Sequence, residues 1–376
     1  MALFVQLHLL VDRPLGRPNR GADGEPKSLV YGGVPRQRIS SQNVKWGLRH
    51  ATSLTRVTET GAVEPDTMEA LAERLGLRMS LRSVNAVRQP LAARLKKRGV
   101  APATADKLAD AAQGVFRKKE TAKSAPLVVG DVEIDVVANM AETAAAEDEP
   151  DKALTKALGK SPLVNPEAAG LDGALFGRFS TAEEIATVDG CVAVGHQFTV
   201  HRQTLTSDTF TATDDFAEGP GAAHLSSVTL GNGLFYGYVL VNADEAARNL
   251  NAGPDEVGEV VAWFVRALAR ANGDAGFGHG AVPEPHDIVA EWGRLQPVSG
   301  AGAFRSAMPL DASPEDAVAR LIAHRADLDR RLGGLSRRQW SGVQATAMQP
   351  SLDVFAGEVG SGVTAAMSEV AQQAAE

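Results

Sequence analysis

Cys191 is the only cysteine in 376 residues. No disulfide can form within the chain, and no cysteine-based zinc cluster can either. That usage fits a reducing, cytoplasmic setting. Aromatic residues are scarce at 5%, so a core must be packed mainly with Leu, Val and Ala, for which a hydrophobic content of 44% suffices. No run approaches the roughly 18 apolar residues of a membrane-spanning helix, and no membrane partner is expected. The opening MALFVQLHLLVDRP has neither a basic start nor a small-residue cleavage site, so it does not read as a leader. A basic excess is missing as well: the formal net charge is −8. A protein that held polyanions by overall charge would be basic, so any anion site here must be local. Catalytic signatures are also lacking. There is no G-x-S-x-G, and the eight histidines show no zinc-helix spacing. Leu158-Gly159-Lys160-Ser161 ends like a phosphate loop, but Leu154 stands where its first glycine belongs. Neither a metal nor a cofactor is expected.

What the chain does have is local basic charge. Residues 1–50 hold eight Lys/Arg against three Asp/Glu, and residues 88–123 hold ten against three. Leu3 to Val11 alternates and predicts an opening strand. Arg13 to Lys27 is a Pro/Gly loop with four cations. Residues 64–123 are helical by pattern. The stretch 127–140 fits strand or helix, and 141–151 reads as an acidic tip or linker. CVAVGHQFTV (191–200) and LFYGYVLV (234–241) are strands, separated by a Thr/Ser/Asp/Gly-rich excursion that suits a β-hairpin. Pro254 to Ala271 is an amphipathic helix with a stripe of Val257, Val260, Val261, Phe264, Val265 and Leu268. The rest is helical and Gly-rich. This order predicts an α+β core, a small antiparallel sheet with large insertions.

The densest signal is Tyr31 to Arg49, YGGVPRQRISSQNVKWGLR. A Gly-Gly turn feeds a short strand carrying Arg36 and Arg38. Ser40, Ser41 and Gln42 then open a helix with Lys45 and Arg49 one turn apart on one face. First-turn amides lack intrahelical partners and carry partial positive charge. Together these residues predict a phosphate-binding surface of amide, hydroxyl and cation. Gly177-Arg178-Phe179 is a second candidate, an aromatic tip beside a phosphate-binding arginine, with a buried loop aromatic as the alternative. Gly233 to Leu240 has the look of an aromatic strand from an RNA-recognition sheet.

These residues resemble, as an ordered set, the CasC-type backbone subunit of the type I-E CRISPR Cascade complex. The matching stretches are Asn19-Arg20 with Lys27, Tyr31-Gly32-Gly33, Arg38 through Lys45, Ala174 through Phe179, and Val188-Asp189-Gly190. They continue with His201-Arg202-Gln203, Asp214-Asp215, Gly221 through His224, and Gly233 through Tyr236. The resemblance is good over about 1–50 and 170–245 and thin elsewhere. One departure is Gly21, where relatives commonly carry an acid.

The resemblance implies an RNA-recognition-like (ferredoxin-like) antiparallel palm with a helical fingers insertion and a β-hairpin thumb. Palm residues would be 1–60 and 162–199, fingers 61–161, thumb 200–224, and palm completion with a C-terminal helical region 225–376. It implies copies stacked along one CRISPR RNA beside handle-binding, small, large and RNA-processing Cascade subunits, with target DNA as a further partner. The expected RNA contacts are Arg20, Lys27, Arg38, Ser40, Ser41, Gln42, Lys45, Arg49, Arg178, Phe179, His201, Arg202 and Gln203, with Phe179 as a wedge. Lys152 and Lys156, in a poorly matching stretch, are the weaker candidates for facing target DNA. The chain is not expected to be an enzyme. The competing reading is an RNA endonuclease on the same fold, since backbone subunits of other CRISPR types cut RNA with a loop aspartate. Asp12 and Asp23 are the nearest equivalents.

Overall fold

A computed structural model describes residues 2–373 apart from 18, 59, 118–125, 164, 181, 214–221, 271–283, 295, 333–337 and 343–350. The Asp214-Asp215 pair, Gly221 and the basic residues Lys118, Lys119 and Lys123 lie outside the described residues.

The elements begin with β1 (Phe4–Gly16), β2 (Ser28–Tyr31), β3 (Val34–Ile39), α1 (Ser41–His50), β4 (Thr55–Val57) and β5 (Val63–Pro65). Then come α2 (Met68–Arg74), β6 (Ser80–Ser83), α3 (Arg88–Lys97), α4 (Pro102–Phe116), β7 (Leu127–Gly130), α5 (Asp131–Ala144), α6 (Pro150–Lys160) and α7 (Leu171–Phe176). Next are β8 (Val192–Val194), β9 (Gln197–Thr199), β10 (Thr204–Thr213), β11 (Ala222–Asn242), α8 (Ala243–Leu250) and α9 (Pro254–Arg270). The chain ends with β12 (Glu284–Gly293), α10 (Pro314–Arg331), β13 (Arg338–Gly342) and α11 (Leu352–Gln373). Two units form. One comprises Met1–Thr67, Val194–Val241 and Gly258–Glu376, and the other Met68–Ala193 and Asn242–Val257.

The first unit is built on a sheet in the order β13-β12-β1-β11-β9-β3-β2, with β10 folded back on β11. β1 runs antiparallel to β12, with Val5 opposite Trp292, Leu7 opposite Ala290 and Leu9 opposite Ile288. Alternation predicts one covered face at least. In fact Val5, Leu7 and Leu9 are buried, and so are Gln6, His8 and Leu10. Each polar member of that second set has a hydrogen-bond partner. His8 Nδ1 lies 2.9 Å from the Tyr236 hydroxyl, and Gln6 Oε1 accepts from the Tyr238 hydroxyl at 2.9 Å. Burial pushes the Tyr236 phenol up from its ordinary value. α10 closes this side through Ala317, Val318 and Leu321, packed with Phe198, Leu234, Tyr236 and Phe304. Its buried Arg325 forms an ion pair with buried Glu291.

The second unit is helical at heart. α3, α4, α5 and α6 share one core through Leu91, Leu95, Leu108, Ile134, Val137, Leu154 and Leu158. Phe116 is the one aromatic in that core cluster, as the composition implied. The helical pattern of 64–123 is interrupted by β6, which pairs with β7, and its first residues, 64–65, end β5, paired with β4. The ambiguous 127–140 stretch is strand first and helix second, and the acidic 141–151 stretch spans the end of α5, the connection at 145–149 and the start of α6.

Candidate nucleic-acid interface

Ser40 sits in extended backbone at φ −73° and ψ 149° and caps α1. Its hydroxyl accepts from the Asn43 amide at 3.3 Å. Its own amide donates to Asn19 Oδ1 at 3.0 Å. The Lys27 amide donates to the Asn19 carbonyl at 2.9 Å, and the Arg38 amide to the Lys27 carbonyl at 2.7 Å. Buried Asn19 therefore ties the Lys27 loop, the end of β3 and the start of α1 into one piece. Lys27, Arg38, Lys45 and Arg49 are all half-buried, with Arg20 and Gln42 exposed. Long cationic side chains commonly lay their stems on protein and keep their heads in water.

Three amides of the predicted phosphate cradle are already engaged within the protein. The Ser41 amide donates to His196 Nδ1 at 2.9 Å, the Asn43 amide is taken by Ser40, and the Val44 amide closes on the Ser40 carbonyl at 3.1 Å. An amide already donating to a good acceptor has little left for a phosphate. The surface is accordingly one of cations and hydroxyls. His196, just before β9, joins it. With Nδ1 accepting, the neutral ring carries its proton on Nε2. Burial, with Arg38 and Lys27 nearby, holds its pKa below the usual histidine value.

Arg36 leaves the set altogether. It is fully buried, donating to the Thr199 carbonyl at 2.8 Å and the Phe304 carbonyl at 3.0 Å. His201 spends both ring nitrogens on backbone, Nδ1 toward the Arg202 carbonyl at 2.8 Å and Nε2 toward the Leu234 amide at 3.3 Å. Exposed Arg202 projects next to it. The Gln203 amide donates to the Pro35 carbonyl at 3.0 Å.

β10 and β11 form the anticipated hairpin, from Thr204 opposite Asn232 to Thr213 opposite Ala222. Its return strand does not stop at 224. β11 runs unbroken for 21 residues into the sheet and carries the Phe235-Tyr236 pair. Leu205, Phe210 and Leu225 stand exposed on the hairpin.

In the second unit, Arg178 is corrected from a phosphate contact to an internal anchor. It is buried and donates to both Glu133 oxygens at 2.5 and 2.9 Å and to the Ala186 carbonyl at 2.9 Å. Glu133 in turn accepts from the Gly130 amide at the start of α5. Gly177 has φ +83°, with its Cβ direction blocked by the Gly190 amide at 2.9 Å, so only glycine fits the turn. Phe179 emerges from that turn 85% exposed. Lys152 and Lys156 lie one turn apart on the exposed face of α6, and Lys152 pairs with Glu149 at 2.5 Å. Cys191 is buried, and that burial pushes its thiol up to about 12.

A family model described as CT1975-like protein matches residues 5–360. The chain belongs to that family. Among solved structures it is similar to a chain of a "CRISPR RNA-guided surveillance complex, pre-nicking", with 25% identity, a TM-score of 0.72, and coverage of 96% of this chain and 100% of that one. A second chain, from a "CRISPR RNA-guided surveillance complex", aligns at 20% identity and TM-score 0.55, covering 96% and 99%. A search of curated proteins finds no match. The family member described here thus has the α+β, RNA-recognition-like fold with a central antiparallel sheet. Among the described residues no helix is long and apolar enough to cross a membrane.

Two residues of the interface escaped the sequence reading. Asn19 was visible only as part of a motif, and its side chain acts on Ser40 across 21 positions. His196 acts on Ser41 across 155 positions, so no local spacing could have paired them.

Proposed function

We propose that this chain is the CRISPR RNA-binding backbone subunit of a Cascade surveillance complex of type I-E, working in antiviral defence in the cytoplasm. Copies assemble along the guide and grip its sugar-phosphate backbone, leaving the bases to pair with target DNA. The observation that carries this reading is the likeness, over 96% of the chain, to a chain of an RNA-guided surveillance complex. The cationic face of α1 supports it, because backbone contacts give affinity without reading sequence, as a subunit serving any guide requires. Lys27, Arg38, Ser41, Gln42, Lys45, Arg49 and Arg20 take the phosphates. Phe179 is the wedge, and the β10–β11 hairpin is the thumb that displaces a nucleotide. Lys152 and Lys156 face the target strand.

Palm and thumb are different surfaces, so stacking is head-to-tail and runs as far as the RNA does. The purified protein mixed with RNAs of increasing length should give oligomers whose mass tracks that length. A dimer of constant mass would sink the reading. The subunit is not itself a nuclease in this proposal. Incubation with guide and matched RNA in magnesium or manganese should leave the RNA whole. Regularly spaced cuts abolished by changing Asp12 or Asp23 would promote the endonuclease reading.

A further inference from the structure

The solvent side of α1 holds more than cations. Asn43, Val44, Gly47 and Leu48 face inward. Gln42, Lys45, Trp46, Arg49 and His50, at i, i+3, i+4, i+7 and i+8, form the opposite stripe. Trp46 in this stripe is 47% exposed, whereas Trp263 and Trp292 are buried. Its indole stacks on the His50 imidazole, with 4.6 Å between centroids and 16° between planes. His50 Nδ1 lies 2.8 Å from the Trp46 carbonyl, and since a carbonyl only accepts, the ring donates there. One hydrogen bond and one ring contact therefore hold two aromatic planes in register on an exposed surface.

We propose that Trp46 and His50 are a stacking platform for a nucleobase of the strand whose phosphates Lys45 and Arg49 hold. The inference rests on the proposed RNA grip and adds a base contact to it. Charge complementarity selects the occupant. Lys45 and Arg49 lie on the same stripe as the rings, and α1 carries no Asp or Glu, which favours an anionic ligand. The planar rings between those cations call for a flat partner. A single nucleic-acid strand supplies anion and plane at every residue. Ring stacking also suits a protein that must accept any guide, because every base has a π-face. The His50 contact lowers the ordering cost, since the indole is already fixed before the base arrives.

The test uses the full-length protein and two strands of equal length, an oligoriboadenylate and an abasic phosphodiester. Trp46→Ala should weaken binding of the oligoriboadenylate by about 5- to 150-fold, the range of base–aromatic stacking. It should leave the abasic strand and the salt dependence unchanged. Trp46→Phe should recover most of the loss, which shows that a ring is needed and that the fold is intact. Lys45→Glu should weaken both strands and flatten the salt dependence. Equal losses on both strands with Trp46→Ala would overturn the platform. So would no loss on either while Lys45→Glu weakens both, and so would lost assembly at unchanged RNA affinity, which would make Trp46 a protein contact. If Lys45→Glu left both strands unaffected, the phosphate grip itself would fall, and the platform with it.

Discussion

The start of α1 and the Gly177–Ser180 turn look alike in sequence: an arginine, a neighbouring aromatic or apolar residue, and serine. Their fates differ. At α1, Asn19 and His196 occupy the backbone amides, and the cations Lys45 and Arg49 are carried on the solvent side of the helix. At the turn, Arg178 is spent on buried Glu133 and the aromatic Phe179 is pushed out instead. The role of Arg178 is thus set by the carboxylate buried behind it. A buried arginine without a partner is too costly to keep, while one with a partner serves to set the shape of a loop.

The largest effect that would break this comparison is expected at the turn. Arg178→Ala leaves Glu133 buried and unpaired, which should cost about 3–5 kcal/mol of stability, read by chemical denaturation without RNA. A loss under about 0.5 kcal/mol, the usual scale of exposed sites, would place Arg178 at the surface after all. Next comes Ser40→Ala, which removes the α1 cap and should cost about 1 kcal/mol. An unchanged denaturation midpoint would mean the cap contributes nothing. Lys45→Glu should act oppositely to Arg178→Ala. RNA affinity should fall alike for unrelated guides, and the salt slope should drop by about 0.7 per lost phosphate contact. A guide-dependent loss would point to base reading.

A smaller effect concerns acid. His196 has a folded pKa below the ordinary 6.5, so the unfolded chain takes up a proton that the folded chain resists. Its contribution is present above pH 6.5 and is lost as pH falls below that. His324 is lowered too, by burial first and by Arg325 and Arg331 next, and adds to the same trend. His196→Gln keeps an acceptor for the Ser41 amide and should flatten part of the stability change between about pH 7.5 and 5.5. An unaltered pH profile would remove His196 from the account. The smallest stability effect is expected for Phe179→Ala. At 85% exposure its removal should shift the unfolding free energy by no more than about 0.5 kcal/mol, while loosening the guide geometry seen by nuclease footprinting. A collapse of the RNA-free protein would make it a core residue.

Much of the fold was legible because periodicity reports burial. The strand expected over Leu3 to Val11 is β1, which runs on to Gly16 into the expected loop, Ser40 caps a helix that starts at Ser41, and Pro254 to Arg270 is a helix. The stripe read on that last helix was too narrow, since Trp263 and Arg266 are buried as well. Arg266, near the end of α9, donates to Asp66 at 2.6 and 3.2 Å. Its partner lies 200 positions away, beyond any window of pattern. The thumb expected over 200–224 is part of a longer pairing, since β10 and β11 stay hydrogen-bonded as far as Thr204 opposite Asn232.

The sequence by itself determined the class of structure, the position of the basic segment and the cations that share one face of α1, because helix caps, alternation and i, i+4 spacing are local. Tertiary structure alone decided which of those residues remain at the surface. Arg36 and Arg178 went inward to carbonyls and a carboxylate, His196 came to α1, and Trp46 stayed out against His50. The reason is that burial and pairing depend on partners brought together only by folding, and an ion or amide follows whichever partner best replaces the water it loses.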